Sequence, residues 1–245
     1  MPPIWREGRT ALELAELLRD PVFRDVDPAT GGERPVLLVP GFLAGDGSLG
    51  LMTRWLRGAG HRAHRTGIRL NVDCSARALE VMERRVEKLA ERYGRRVTVI
   101  GQSRGGTLGR ALAATRPDLV DVLVALGSPQ LDPLAVHPLV KLQVGMLGVL
   151  GTLGAPGLFR DSCLHGGCCR EYRASFGAPF PDDVRYVSIY SRSDGIVDWR
   201  ACLDPAAELV EVDASHIGMA MNVAVYRAVA EALAPRDSAE LPLAA

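Results

Sequence analysis

The chain has 245 residues, 47% of them hydrophobic and 24% charged, which suits one globular domain, or a domain carrying an insertion, with a sizeable core. Lysine plus arginine balance aspartate plus glutamate, 29 against 29, for a formal net charge of zero. That balance argues against a nucleic-acid partner, which would call for a basic excess. The start, Met1-Pro2-Pro3-Ile4-Trp5-Arg6-Glu7, has no apolar signal core, so the chain is expected in the cytoplasm.

Thr10 to Arg19 has the spacing of an amphipathic helix, with Leu12, Ala15 and Leu17 or Leu18 on one face and Pro21 beyond it. Asp27 to Gly32 is a loop. Val36 to Val39 is short and wholly apolar, as in a strand buried on both faces. A glycine-rich loop, Pro40 to Gly47, follows. Then come a helix from Leu49 to Arg57, stopped by Gly58 and Gly60, and a weaker strand from His61 to Arg65. Ser75 to Tyr93 is the clearest helix: Leu79, Met82, Val86, Leu89 and Tyr93 recur at spacings of three and four, and Gly94 ends it. Val97 to Ile100, Val120 to Leu126, Val184 to Tyr190 and Ala207 to Val212 are further strands. Thr107 to Thr115 and Met219 to Leu233 are helices, and the tail after Pro235 is expected to fray. Short apolar strands alternating with amphipathic helices predict an α/β fold. Its sheet is mostly parallel, covered on both faces, and carries its site at the carboxyl ends of the strands.

The stretch from 130 to 181 breaks this alternation and is read as an insertion in a single domain spanning 1–245. Within it, Leu139 to Leu158 is largely apolar, with Gly145, Gly148, Gly151 and Gly154 at every third position. The favoured reading is an apolar cap or lid over the site, able to wall an acyl chain and to touch a lipid interface. A buried core helix and a membrane-inserting segment are the alternatives; the segment is short and glycine-rich for a span.

The cysteines are Cys74, Cys163, Cys168, Cys169 and Cys202. With His165 inside the cluster, zinc is one reading, but there is no second C-x-x-C and the histidine spacing fits no common zinc pattern. A disulfide from the cluster to Cys202 is the more plausible bond, although a reducing cytoplasm opposes it, and buried free thiols are the remaining reading. No metal or organic cofactor is expected.

Chemistry is concentrated in Val97-Thr98-Val99-Ile100-Gly101-Gln102-Ser103-Arg104-Gly105-Gly106. A β-branched run ends in Gly-x-Ser-x-Gly and a helix follows, the setting of a nucleophile elbow. A serine hydroxyl is a weak nucleophile and needs a base and an orienting acid. Asp194, in Ser193-Asp194-Gly195-Ile196-Val197, follows one later strand, and His216, in Ala214-Ser215-His216-Ile217-Gly218, follows the last. Asp198 is the rival acid, but its place before Trp199 suits a helix cap. His61, His64, His137 and His165 lack the late, post-strand position. The oxyanion hole requires two backbone N–H groups, expected from Arg104 and from Phe42 in the loop after the first strand. The Arg104 side chain is read as meeting a polar substrate group or a surface salt bridge.

Together these residues resemble the α/β-hydrolase superfamily and its small bacterial lipase/esterase-like members. The resemblance runs from about Arg34 to Leu233 through Pro40-Gly41-Phe42, Gly101-Gln102-Ser103-Arg104-Gly105-Gly106, Asp194-Gly195-Ile196-Val197 and Ser215-His216. It departs from the family pattern at Pro40, where many relatives carry histidine, and at Arg104. It implies a serine esterase or lipase acting on a small ester or acyl substrate. An acyltransferase, a thioesterase or a non-catalytic binding protein on the same fold are its alternatives.

Overall fold

Six strands join in one sheet in the order β2-β1-β3-β4-β5-β6. They are β1 (Pro35–Val39), β2 (Arg62–Arg65), β3 (Val97–Gln102), β4 (Val120–Leu126), β5 (Arg185–Tyr190) and β6 (Glu208–Glu211). Every pairing between these strands is parallel. The computed structural model describes residues 2–164 and 166–234, so His165 and the tail expected to fray lie outside the described residues.

Alternation along the central strands divides the core into two layers, because successive side chains point to opposite faces. Val36, Leu38, Ile100, Val124, Leu126 and Ile189 pack on one face with Met52, Trp55 and Leu56 of α3 (Gly50–Gly58) and Val225, Tyr226 and Val229 of α9 (Val223–Leu233). Leu37, Val39, Val97, Val99, Leu123 and Ala125 pack on the other. There they meet Met82, Val86 and Leu89 of α4 (Ser75–Tyr93) and Leu108 and Leu112 of α5 (Arg104–Thr115). The wholly apolar runs are therefore the inner strands. The outer two, β2 and β6, are largely exposed.

The N-terminal segment differs from its predicted packing. A 3-10 turn, Ile4–Arg9, leads into α1 (Thr10–Leu17) and the short α2 (Pro21–Arg24). Leu12 is 67% exposed and Leu18 is also exposed, whereas Glu13 and Leu17 are buried. The apolar spacing holds at Leu17 and fails at Leu12, because the buried face also carries Glu13, which serves hydrogen-bond donors described below. The predicted helix from Met219 to Leu233 is also two pieces: a 3-10 turn, Ile217–Met221, then α9. Asn222 breaks between them and caps α9, its Oδ1 accepting the Ala224 amide at 2.9 Å.

Between β4 and β5 lie α6 (Pro138–Thr152), α7 (Asp161–Leu164) and α8 (Arg170–Gly177). The core-helix reading of the apolar stretch fails: Leu139, Leu142, Met146, Val149, Leu150 and Leu153 are exposed, and only Gly148 and Gly151 of α6 are buried. Its glycines let α6 approach the Phe159 segment, where a methyl on Gly151 would stand 2.1 Å from the Phe159 carbonyl oxygen. Among the described residues no helix is long and apolar enough to cross a membrane.

Candidate active site

Ser103 stands between the end of β3 and the start of α5 with φ 52° and ψ −122°. Side chains seldom tolerate this backbone, and such strain persists only where the surroundings enforce it. Here they do. A methyl on Gly101 would lie 2.4 Å from the Gly105 backbone, and one on Gly105 would lie 2.2 Å from the Val39 carbonyl oxygen. The two glycines of the motif are thus steric requirements. The Ser103 amide donates to the Leu126 carbonyl at 2.8 Å, fixing the turn to the end of β4.

Asp194 follows β5 and is buried. Its Oδ1 accepts the amides of Ile196 and Val197 at 2.8 and 2.7 Å. Its Oδ2 lies 2.7 Å from His216 Nδ1. This bond fixes the imidazole orientation and leaves Nε2 as the free ring nitrogen. Burial alone pushes the His216 pKa down, but the Asp194 charge, the Asp194 hydrogen bond and the Glu7 charge outweigh it, so the pKa is raised above 6.5. Gln102, the residue before Ser103, donates through Nε2 to the His216 carbonyl at 2.9 Å, bringing the histidine loop to the elbow. Among the described residues no hydrogen bond closes between Ser103 Oγ and His216. Such bonds are often long in free enzymes and tighten with substrate.

The rival residues have other duties. Asp198 Oδ1 accepts the Arg200 amide at 3.2 Å, capping the 3-10 turn Trp199–Cys202. His61 is buried, His64 Nε2 lies 3.0 Å from the Tyr93 hydroxyl, and His137 Nδ1 accepts the Leu139 amide at the start of α6.

The loop after β1 passes directly over the serine, since a methyl on Gly41 would stand 3.3 Å from Ser103 Cβ. This brings Phe42, the next residue, to the same place. Arg104 is the first residue of α5, where the amide has no intrahelical acceptor. Among the described residues its side chain forms no salt bridge, which corrects that expectation, and its hydrogen bonds go to neutral acceptors. The guanidinium donates to the Asn71 carbonyl at 3.1 Å, the Asp73 carbonyl at 2.6 Å and Ser75 Oγ at 3.1 Å. It also lies over the Phe159 ring, 5.9 Å from its centre, and Phe159 in turn contacts Phe42 with ring centres 6.4 Å apart. The segment between β4 and β5 therefore touches the loop after β1.

Two buried carboxylates near the N-terminus were missed in the sequence. Glu7 Oε1 accepts the amides of Gly195 at 2.9 Å and His216 at 3.0 Å, and Oε2 accepts Ile217 at 2.9 Å. Glu13 accepts the Ser215 amide at 2.8 Å and Asn222 Nδ2 at 3.1 Å, and bonds the Ser215 hydroxyl. The only trace of them in the sequence is an acid at each position in an otherwise ordinary N-terminal segment.

No family model and no curated protein sequence matches the chain. Solved structures do. The mature Bacillus licheniformis lipase BlEst2 superposes with a TM-score of 0.60 at 15% identity, over 86% of this chain and 94% of the lipase. The metagenomic carboxyl esterase MGS0156 gives 0.60 at 18% identity, over 82% and 75%. The chain has the α/β-hydrolase fold. Another protein with this hydrolase fold, the thioesterase domain from the curacin biosynthetic pathway, matches with a TM-score of 0.55 at 14% identity, over 85% of this chain and 92% of that one. At such identities the likeness concerns the hydrolase fold, and the chemistry has to be argued from the residues.

Proposed function

We propose that the protein is a serine hydrolase that cleaves carboxylic esters through an acyl-enzyme on Ser103. The observation that carries this reading is the oriented pair His216 Nδ1–Asp194 Oδ2 at 2.7 Å, with the histidine backbone tied by Gln102 to the turn that holds Ser103 at positive φ. His216 Nε2 takes the Ser103 proton as Oγ attacks the ester carbonyl, then delivers it to the leaving alcohol. In the second half-reaction it takes a proton from water, which attacks the acyl carbon, and passes it to Ser103 Oγ as the acyl–oxygen bond breaks and the acid leaves. Asp194 stays ionised and stabilises the imidazolium. The amides of Phe42 and Arg104 receive the negative charge of each tetrahedral intermediate. No step calls for a metal or organic cofactor.

The insertion from 130 to 181 is read as a cap within a single domain. The exposed apolar side of α6 supports contact with a lipid interface. A thioesterase would use the same acyl-enzyme, and the likeness to the curacin thioesterase domain favours keeping that reading in view.

Labelling by a fluorophosphonate tests the core of the proposal. One adduct per chain, located on Ser103 by peptide mass and absent from His216→Ala, is the expected result. A chain that stays unlabelled would refute an activated serine.

A further inference from the structure

Outside the catalytic residues, the densest cluster of reactive side chains is formed by Cys74, Cys163, Cys168 and Cys169. Their four Sγ atoms all lie within 4.8 Å of one another. Cys74 Sγ is 3.3 Å from Cys169 Sγ and 3.5 Å from Cys168 Sγ, and Cys163 Sγ is 3.5 Å from Cys168 Sγ. We propose that these four cysteines form a structural site for one zinc ion, tying the insertion to the body of the fold.

The spacing fits this chemistry. Four thiolates about 2.3 Å from a central ion form a tetrahedron with edges of about 3.8 Å. The observed contacts are near that value and well beyond a disulfide bond of about 2.05 Å. A spread of 4.8 Å leaves room for one ion and is too tight to enclose a polynuclear iron–sulfur cluster. A closed set of four thiolates is the ligand set of structural zinc.

The sequence shows no second C-x-x-C because the fourth sulfur, Cys74, is far from the others in the chain. Cys202, expected to bond the cluster, is instead a free thiol buried among Val136, Tyr190 and Val197. His165, which first suggested zinc, lies outside the described residues, and four sulfurs complete the site without it.

A backbone amide and a guanidinium lie against the cluster. Cys74 immediately precedes α4, so the positive end of that helix lies beside the cluster. The Arg160 amide donates to Cys163 Sγ at 3.4 Å. The Arg104 guanidinium holds the Asp73 carbonyl and Ser75 Oγ, on either side of Cys74, and interacts electrostatically with Cys74 and Cys169. Zinc with four thiolates carries two net negative charges, and the arginine and the amide dipoles offset them.

Binding is not a redox step. Each of four thiols gives a proton to solvent as its sulfur bonds the ion, so four Zn–S bonds form and four protons are released. Cys163, Cys168 and Cys169 come from the insertion, while Cys74 leads into α4 of the body. The ion therefore bridges the cap to the segment gripped by Arg104, the residue that follows the nucleophile. The zinc assignment stands whether or not Ser103 is catalytic.

The test is metal analysis of the full chain purified without chelator, together with Cys163→Ser, Cys168→Ser and Cys202→Ser. The expected result is about one zinc per chain in the parent and in Cys202→Ser, and a several-fold loss in the other two variants. If those variants fail to fold, titration of the parent with a mercurial reagent decides: zinc should leave in step with modification of four thiols. A mass deficit showing two disulfides under non-reducing conditions, five free thiols without metal, stoichiometric iron, or zinc retained in Cys163→Ser and Cys168→Ser would each overturn the proposal.

Discussion

Glu7 and His216 are joined across most of the chain. Glu7 Oε1 accepts the His216 amide at 3.0 Å and the Gly195 amide at 2.9 Å, so one carboxylate grips the backbone of the acid loop and of the histidine loop. The side-chain bond between Asp194 and His216 is therefore duplicated by a backbone clamp. Glu7→Gln keeps most of the shape but loses the charge and one acceptor. It should lower the melting temperature, reflecting about 1–3 kcal/mol for a buried donor left unpaired. It should also reduce kcat about tenfold through loosened geometry. Thermal unfolding and ester kinetics on the same preparation check both.

The raised pKa of His216 sets the pH response. The general base has to be neutral, so kcat/KM should rise through an acid limb centred above 6.5. Removing the Glu7 charge takes away one of the groups raising it, so the limb in Glu7→Gln should move to lower pH. Asp194→Asn removes the charge and disrupts the tautomer, and activity should fall about a thousandfold or more. Linkage gives the accompanying stability sign. A histidine with a raised folded-state pKa contributes stability that is complete below 6.5 and is lost as pH rises through the raised value. A pH–rate profile with parallel thermal melts reads both effects.

Backbone strain at Ser103 predicts a trade between stability and activity. Ser103→Ala keeps a Cβ at φ 52°, whereas Ser103→Gly removes it. Both should abolish turnover. The glycine variant should be more stable than the alanine variant by about 1 kcal/mol, despite the greater entropy of glycine in the unfolded chain. Urea unfolding of the pair is the direct comparison.

Arg104 should not tolerate lysine. Its guanidinium spans three acceptors, the carbonyls of Asn71 and Asp73 and Ser75 Oγ, and an ammonium cannot reproduce that fork. Arg104→Lys should cost about 1–3 kcal/mol of stability, measured by chemical denaturation.

The exposed side of α6 makes a further prediction. Leu142→Glu with Val149→Glu places charge on two exposed apolar positions and should leave the fold intact. If α6 meets lipid, the double variant should lose co-sedimentation with vesicles and hydrolysis of emulsified long-chain esters, while short soluble esters are turned over as before.

Much of this molecule was legible in local pattern. The apolar runs of β1, β3, β4 and β5 announced a buried sheet because their neighbours on both faces are apolar. The glycines at 101 and 105 announced the elbow because only hydrogen fits there. What escaped was held by long-range contacts. Glu7 and Glu13 are buried because amides some two hundred residues away need acceptors, and no spacing around residue 10 records that. Leu12, on the predicted apolar face, is exposed for the same reason. The apolar content of α6 left a core helix open as an alternative to a cap, because local pattern does not show that its glycines provide the inner face. Cys74 joined three distant cysteines through the docking of the insertion, which short-range spacing cannot show.

The central claim is that Ser103 forms an acyl-enzyme. Hydrolysis of p-nitrophenyl esters, from acetate to long-chain acyl groups, by the parent protein and Ser103→Ala tests it most directly. The account predicts turnover in the parent and a loss of about a thousandfold or more in the variant. Ester hydrolysis that falls less than about tenfold on removal of the hydroxyl would contradict it.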